Sequence, residues 1–339
     1  MSSKIPAEKL KIAFSDIIRG SSTMSVEKYG EIYVKHFTNF DSASVDDFLC
    51  RYKDKAAKEG LLNEKDKLEI LAKDDLWDAK KDAELEETKR YVKNLLITKS
   101  KLFLKSEIDR VAIQIKEAQE KAQKIERERA EIVGITVEGY AMKKANERYI
   151  FLSLFKEEGL KTRYFNDEEF EELTGQELYD IIEGYNSQMG LFGSEYLKKV
   201  AVSNFFLNFY YLCEDNPYTF YGKPIVNLTY YQLELFGYGR YFKQIFSDSK
   251  TRPPEEMMDD PDQIIEWYES NKNAQKVVQR SKQDGSGGTS IVGATKDDLK
   301  RLGMSDEHSS SVSLSKEAAK KGGNLNMEDI MKLHGIKMK

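Results

Sequence analysis

Residues 204–246, NFFLNFYYLCEDNPYTFYGKPIVNLTYYQLELFGYGRYFKQIF, hold fifteen of the chain's 38 aromatic side chains. Across 194–213 the apolar residues begin as a stripe and then encircle the helix, the pattern of a central buried helix. In the segment that follows, Tyr231, Leu235, Tyr238, Phe242 and Ile245 step by four and three, and Phe236 widens that apolar face. Between them EDNPYTFYGKP must turn, because Pro217 and Pro224 cannot continue a helix and Gly222 accommodates a reversal. Aromatic rings bury about 150–250 Å² each, so two such helices packed together anchor a core. Eight of the fifteen rings are tyrosines, whose hydroxyls need polar partners. Tyr218, Tyr221, Tyr238 and Tyr241 are therefore candidates for an aromatic protein interface.

Working outward, helix start signals recur and strand signals are nearly missing. Thr174 with Glu177 and Thr229 with Gln232 have capping-box spacing, Asn166 precedes DEEFEEL, Ser194 starts EYLKKVAVSNFFLNFYYLC, and Thr136 starts VEGYAMKKANERYIFLSLFKEEG. Upstream, Leu85, Thr88, Val92, Leu95, Lys99 and Leu102 step by three and four, and the spacing restarts as Ile108, Val111, Ile115, Ala118, Ala122, Ile125, Arg129 and Ile132. Ser106 with Asp109 reads as a cap in mid-pattern, which predicts an antiparallel helical hairpin with a turn near 99–106 and an end at Gly134, one unbroken rod being the alternative. Its seam is rich in Ala and carries Lys and Arg. Such a seam buries little, so the hairpin is expected to lean on another surface or to pair with a second copy. Nearer the start, Pro6 and Gly20 bracket one helix, and Ser25 and Ser44 precede two periodic stretches, VEKYGEIYVKHF and VDDFLCRYKDKAAKEG, read as amphipathic helices.

The expected architecture is all-α in four segments: short helices over 1–77, the helical hairpin over 78–134, an aromatic-rich helical domain over 135–282, and a flexible tail over 283–339. The tail composition is that of a linker, interrupted by ATKDDLKRLGM and LNMEDIMKLHGIKMK. The second has Asn326 as a cap and Gly335 as a stop. A helix so short is not stable alone, which suggests docking into a partner's groove through Leu325, Met327, Ile330, Met331 and His334.

Composition narrows the function. The net charge is −5, with thirteen basic against eight acidic residues over 271–339, so residues 1–270 carry −10. An acidic body has no footprint for nucleic acid. No run approaches the roughly 20 apolar residues that span a bilayer, and MSSKIPAEKLKIAF lacks a signal-peptide core, so a cytoplasmic location is expected and no membrane partner. The three histidines lie in separate regions, no Cys and His spacing suits a metal, and no phosphate loop is present, so neither an enzyme nor a cofactor nor a metal is expected. Cys50 and Cys213 sit in apolar helical patterns and read as buried, inert thiols.

The segments DDLWDAKKDAELEETKRYVKNLL, TKSKLFLKSEIDR and AEIVGITVEGYAMKKANERYIF resemble a charged helical arrangement in virion-assembly proteins of large tailed bacteriophages. An aromatic helical domain followed by a tail with a terminal helical motif is similar in plan to tail or baseplate assembly chaperones. The resemblance implies a non-enzymatic protein that binds a tape-measure or baseplate-hub component in the infected cell. A structural virion subunit, hub or adaptor, is the alternative, and a helical nucleic-acid-associated protein the second.

Overall fold

The computed structural model describes residues 5–248, 252–283, 294, 295 and 298. Among the described residues the fold is predominantly α-helical with one small three-stranded sheet, and the chain divides into two compact units. One comprises residues 1–86 and 123–266, the other residues 87–122 and 267–339.

In the first unit, helix α1 (Ala7–Arg19) ends at Gly20, whose left-handed φ of 81° releases the chain into a β-hairpin. Strands β1 (Ser21–Val26) and β2 (Gly30–Lys35) pair antiparallel, and the two-residue β3 (Leu154–Phe155) adds to β2 through Tyr33 and Val34. This corrects the helical reading of VEKYGEIYVKHF. Val26, Tyr29 and Tyr33 do follow helical spacing, but the buried apolar residues of the two strands are Met24, Val26, Ile32 and Val34, which alternate in the period of two that a sheet with one covered face requires. Gly30 at φ 70° closes the turn.

The covered face packs on Ile150 and Phe151 of α6 (Val137–Ser153), Phe165, and Ile181 and Tyr185 of α8 (Gly175–Met189). Helix α2 (Asn39–Lys58) lies along α6, where Ala56, Ala141 and Ala145 are buried and let the two backbones approach. It starts well before Ser44, since Thr38 and Asp41 form its capping box. Cys50 on this helix is exposed, contrary to the buried thiol expected, whereas Cys213 is buried. Helix α3 (Glu64–Lys73) brings Leu71 onto Trp77 and Val133.

The helical hairpin is formed by α4 (Ala79–Lys99) and α5 (Lys105–Val133). In the first unit Arg129, near the end of α5, binds Asp82 in the first turn of α4 at 2.8 Å and Glu64 at 2.6 Å. That pairing makes the helices antiparallel. The indole N–H of Trp77 donates to the same Asp82 carboxylate at 3.0 Å. In the second unit the seam residues Thr88, Ile108, Val111, Ile115, Ala118 and Ala122 are buried as their spacing predicts, while Val92, Leu95 and Lys99 are half-buried. Ser106 is not the cap of α5. It is the second residue of the helix, and Asp109 pairs with Lys105 instead, at 2.6 Å.

After α7 (Asp167–Glu171), whose expected cap Asn166 forms a capping box with Glu169, and α8, with the expected Thr174 and Glu177 box, the aromatic part of the first unit follows: α9 (Ser194–Val202), α10 (Asn204–Leu212), α11 (Pro217–Tyr221) and α12 (Tyr230–Ser247). Residues 194–213 are thus two helices rather than one. Ser203 is extended (φ −74°, ψ 139°), its hydroxyl donates to the Lys199 carbonyl, and its own carbonyl accepts from Phe206 and Leu207. Helix α13 (Pro261–Gln283) begins in the first unit and ends in the second. The tail segments 299–339, with Leu325, Met327, Ile330, Met331 and His334, lie outside the described residues.

Candidate functional site: an apolar groove

Helix α10 is apolar except at Asn204 and Asn208, yet only Phe206, Leu207 and Tyr210 are buried. Its other side presents Phe209 and Leu212 at 62% and 78% exposure, so the expectation of a centrally buried helix holds for half of it. Soluble surfaces carry scattered apolar residues routinely, but a contiguous patch around a concavity marks a contact site. Here Phe14 and Ile18 of α1, Phe209, Leu212 and Cys213 at the end of α10, and Thr219 and Phe220 of α11 line a cavity of about 400 Å³.

The floor is built from locked rings. Phe14 meets Phe206 edge-on at 5.7 Å, Phe206 stacks on Tyr210 at 5.5 Å, and Phe220 packs on both at 5.6 and 6.0 Å. Helix α12 can come this close because residue 239 is glycine: a Cβ there would lie 2.7 Å from the Tyr210 ring and 2.9 Å from Phe206. Each wall is fixed by polar contacts that do not enter the groove. Gln232, wholly buried in the Thr229 capping box, donates its side-chain amide to the carbonyls of Ile17 (2.8 Å) and Ile18 (3.1 Å) and so positions the last turn of α1. The Tyr221 hydroxyl donates to the Gln232 carbonyl at 2.9 Å and pins α11.

Between α10 and α11 the chain reverses through Glu214 and Asp215, both left-handed at φ 52° and 57°. Consecutive non-glycine residues in that region cost backbone energy and persist only where the surroundings hold them. The Asp215 carboxylate supplies that hold, accepting from the Tyr210 hydroxyl and from Lys243 Nζ, each at 3.0 Å. The Lys243 hydrogen bond leads in lowering the Asp215 pKa, against the opposing effect of burial. Burial, and then the Asp215 carboxylate, push Tyr210 up. Both groups therefore stay in fixed protonation states near neutrality, as a rigid scaffold requires.

Of the tyrosines singled out by sequence, Tyr218 on α11 is 59% exposed. Tyr221 is turned inward to Gln232. On α12, Tyr238 is half-buried with its hydroxyl 2.7 Å from Ser194 Oγ, and Tyr241 is half-buried beside Phe242. The residues that sequence reasoning missed are Phe14, Ile18, Phe209 and Leu212. For Phe209 and Leu212 the signal was present in NFFLNFYYL, whose seven apolar residues exceed what one buried face needs even with Asn204 and Asn208 between them.

The histidine read as structural is buried. The His36 ring is 4.6 Å from Phe192 and 5.1 Å from Tyr231, Nε2 lies 3.2 Å from Ser22 Oγ, and Nδ1 has no hydrogen-bond partner among the described residues. Among the described residues no group of three or more His, Cys, Asp or Glu is arranged to hold a metal, and no helix is long and apolar enough to cross a membrane. No protein family, no curated protein and no solved structure matches this chain.

Proposed function

We propose that the protein is a non-enzymatic protein-binding factor in tailed-phage virion assembly, a chaperone whose groove captures an apolar segment of another tail or baseplate component. The observation that carries this reading is the groove itself. Its rings and the last turn of α1 are held from behind by Gly239, Gln232 and Asp215, while Phe209 and Leu212 are left in water. A concave apolar surface on a rigid backing is what an amphipathic segment of a partner recognises, through residues spaced three and four apart. The resemblance of the helical hairpin region to virion-assembly proteins supplies the setting.

The test pairs a location with a variant. A chaperone co-purifies with one tail protein from cells in mid-assembly and is missing from finished particles, whereas a hub or adaptor subunit stays in them. Burying Leu212 and Phe209 is worth about 1.5 kcal/mol each, so replacing both by Glu weakens capture on the order of 100-fold. Undiminished capture by that variant would rule out the groove.

A further inference from the structure

Beside the turn of the β-hairpin, the first unit carries a second cavity, which shares no lining residue with the groove. Its apolar lining is Tyr29 in the turn between β1 and β2, Tyr164 and Phe165 ahead of α7, and Leu173 after it, and its volume is about 600 Å³. Sites for small organic molecules have this size. Two pairs of the rings stand nearly at right angles. Tyr29 meets Tyr164 at 85° with centroids 6.1 Å apart, and meets Phe165 at 88° and 5.3 Å. The Tyr164 hydroxyl donates to the Tyr29 carbonyl at 2.6 Å, and the Tyr164 N–H to the Leu154 carbonyl at 3.0 Å, so the sheet holds the arrangement. Rings crossed in this way turn π faces in more than one direction, as an aromatic cage around a cation does. The chain already uses one of them so: Lys28 Nζ lies 5.4 Å from the centre of the Tyr29 ring, its charge balanced by Glu177.

The polar lining has a sign. Glu31 of β2, Glu169 of α7 and Glu172 stand against Lys156 alone, three carboxylates to one ammonium, a surplus of two negative charges. Glu169 accepts from the Asn166 N–H at 2.8 Å. Glu31, Glu172 and Lys156 are exposed and make no ion pair or side-chain hydrogen bond among the described residues. Carboxylates gathered around one concavity concentrate counter-charge there, and a bound cation relieves their repulsion. They are not arranged to share a metal ion. The rings beside them suit a cation with an apolar body instead.

The geometry points to a binding site for an organic dication, two ammonium or guanidinium groups on an alkyl stem. The stem packs on the tyrosine and phenylalanine rings, and Glu31, Glu169 and Glu172 answer the charges. A free diamine carries this chemistry, and so do two lysine side chains of another polypeptide. The site stands whether or not the groove captures a partner, since no residue serves both.

Isothermal titration calorimetry on the full chain tests this, with the diamine putrescine and a Lys-Gly-Lys peptide as separate probes and butanediol and succinate as controls. At least one cationic probe binds saturably at one site, more weakly in high salt, and neither control binds. Tighter binding of the diamine identifies a small-molecule site, and tighter binding of the peptide a protein partner. Tyr164→Leu weakens binding without changing the charge. Should that variant lose its fold, the pair Glu31→Gln and Glu172→Gln decides alone, since both side chains are exposed and unpaired. Losing two surface ion pairs weakens binding by about tenfold. Diffuse attraction to a chain of net charge −5 would survive those two substitutions. No saturable heat from either cation, unchanged affinity in the glutamine pair, or equal binding of succinate would overturn the site.

Discussion

Two glycines of α12, two residues apart, should respond to alanine with opposite signs. A Cβ on Gly239 would lie 2.7 and 2.8 Å from the Tyr210 ring and 2.9 Å from Phe206, where ordinary carbon contacts are about 3.5–4.0 Å, so roughly an ångström must be found. Neither ring can yield freely. Both are wholly buried, Tyr210 is held by Asp215, and Phe206 is wedged against Phe14. Overpacking of this kind costs about 1–3 kcal/mol, and the helix-propensity gain of alanine over glycine returns up to about 1 kcal/mol. The net for Gly239→Ala is a loss of about 1–2 kcal/mol. Gly237 has no atom within 4 Å of the same construction, so Gly237→Ala collects only the gain, about 0.5–1 kcal/mol. Urea titration followed by near-ultraviolet circular dichroism, which reports on the aromatic packing, measures both. Equal shifts of the midpoint, or a stabilised Gly239→Ala, would refute the close approach of α12 to the groove floor.

Two further outcomes follow from the charged and titrating groups. Burial, and secondarily Arg19, lower the His36 pKa from the ordinary 6.5 to about 4. Above pH 6.5 the ring is neutral in both folded and unfolded chains and nothing is lost. Below it the unfolded chain binds the proton first, so stability falls as pH drops toward 4, by about 2 kcal/mol at pH 5 and about 3 kcal/mol in full. In His36→Gln the decline of the urea midpoint between pH 7 and 5 is smaller by that amount, and identical declines would contradict the burial argument. Arg129→Met removes the ion pairs to Asp82 and Glu64, leaving Asp82 its Trp77 hydrogen bond, and costs about 1 kcal/mol at low salt and less at 1 M salt. A salt-independent difference would mean that only packing was lost.

Much of the fold was legible because helix ends are written in local chemistry. Thr136, Asn166, Thr174 and Thr229 each cap the helix their spacing promised, and the seam from Ile108 to Ala122 is buried as read. The sheet was not legible. Val26, Tyr29 and Tyr33 satisfy a helical period over so short a run, and pairing with β3, more than a hundred residues later, decides the matter. The break at Ser203 was hidden for a similar reason: one serine in an apolar run looks like a tolerated helix residue until its hydroxyl finds the Lys199 carbonyl. Arg129, read as a weak point of the seam, is where two carboxylates from separate helices meet. As for the groove, sequence showed that α10 has more apolar surface than one core can use, but not which side faces water. That depends on α1, whose last turn is placed by Gln232 from more than two hundred residues away.

The groove as a capture surface is tested most directly by site-specific photo-crosslinking in the cells where the protein is made. A photoreactive residue at Leu212 should give one dominant adduct with an apolar segment of another polypeptide, mapped by mass spectrometry, and Phe209→Glu in the same chain should abolish it. The same probe at Tyr179, an exposed ring on α8, should not give that adduct. Equal labelling from both positions, or an adduct that survives Phe209→Glu, would contradict the account.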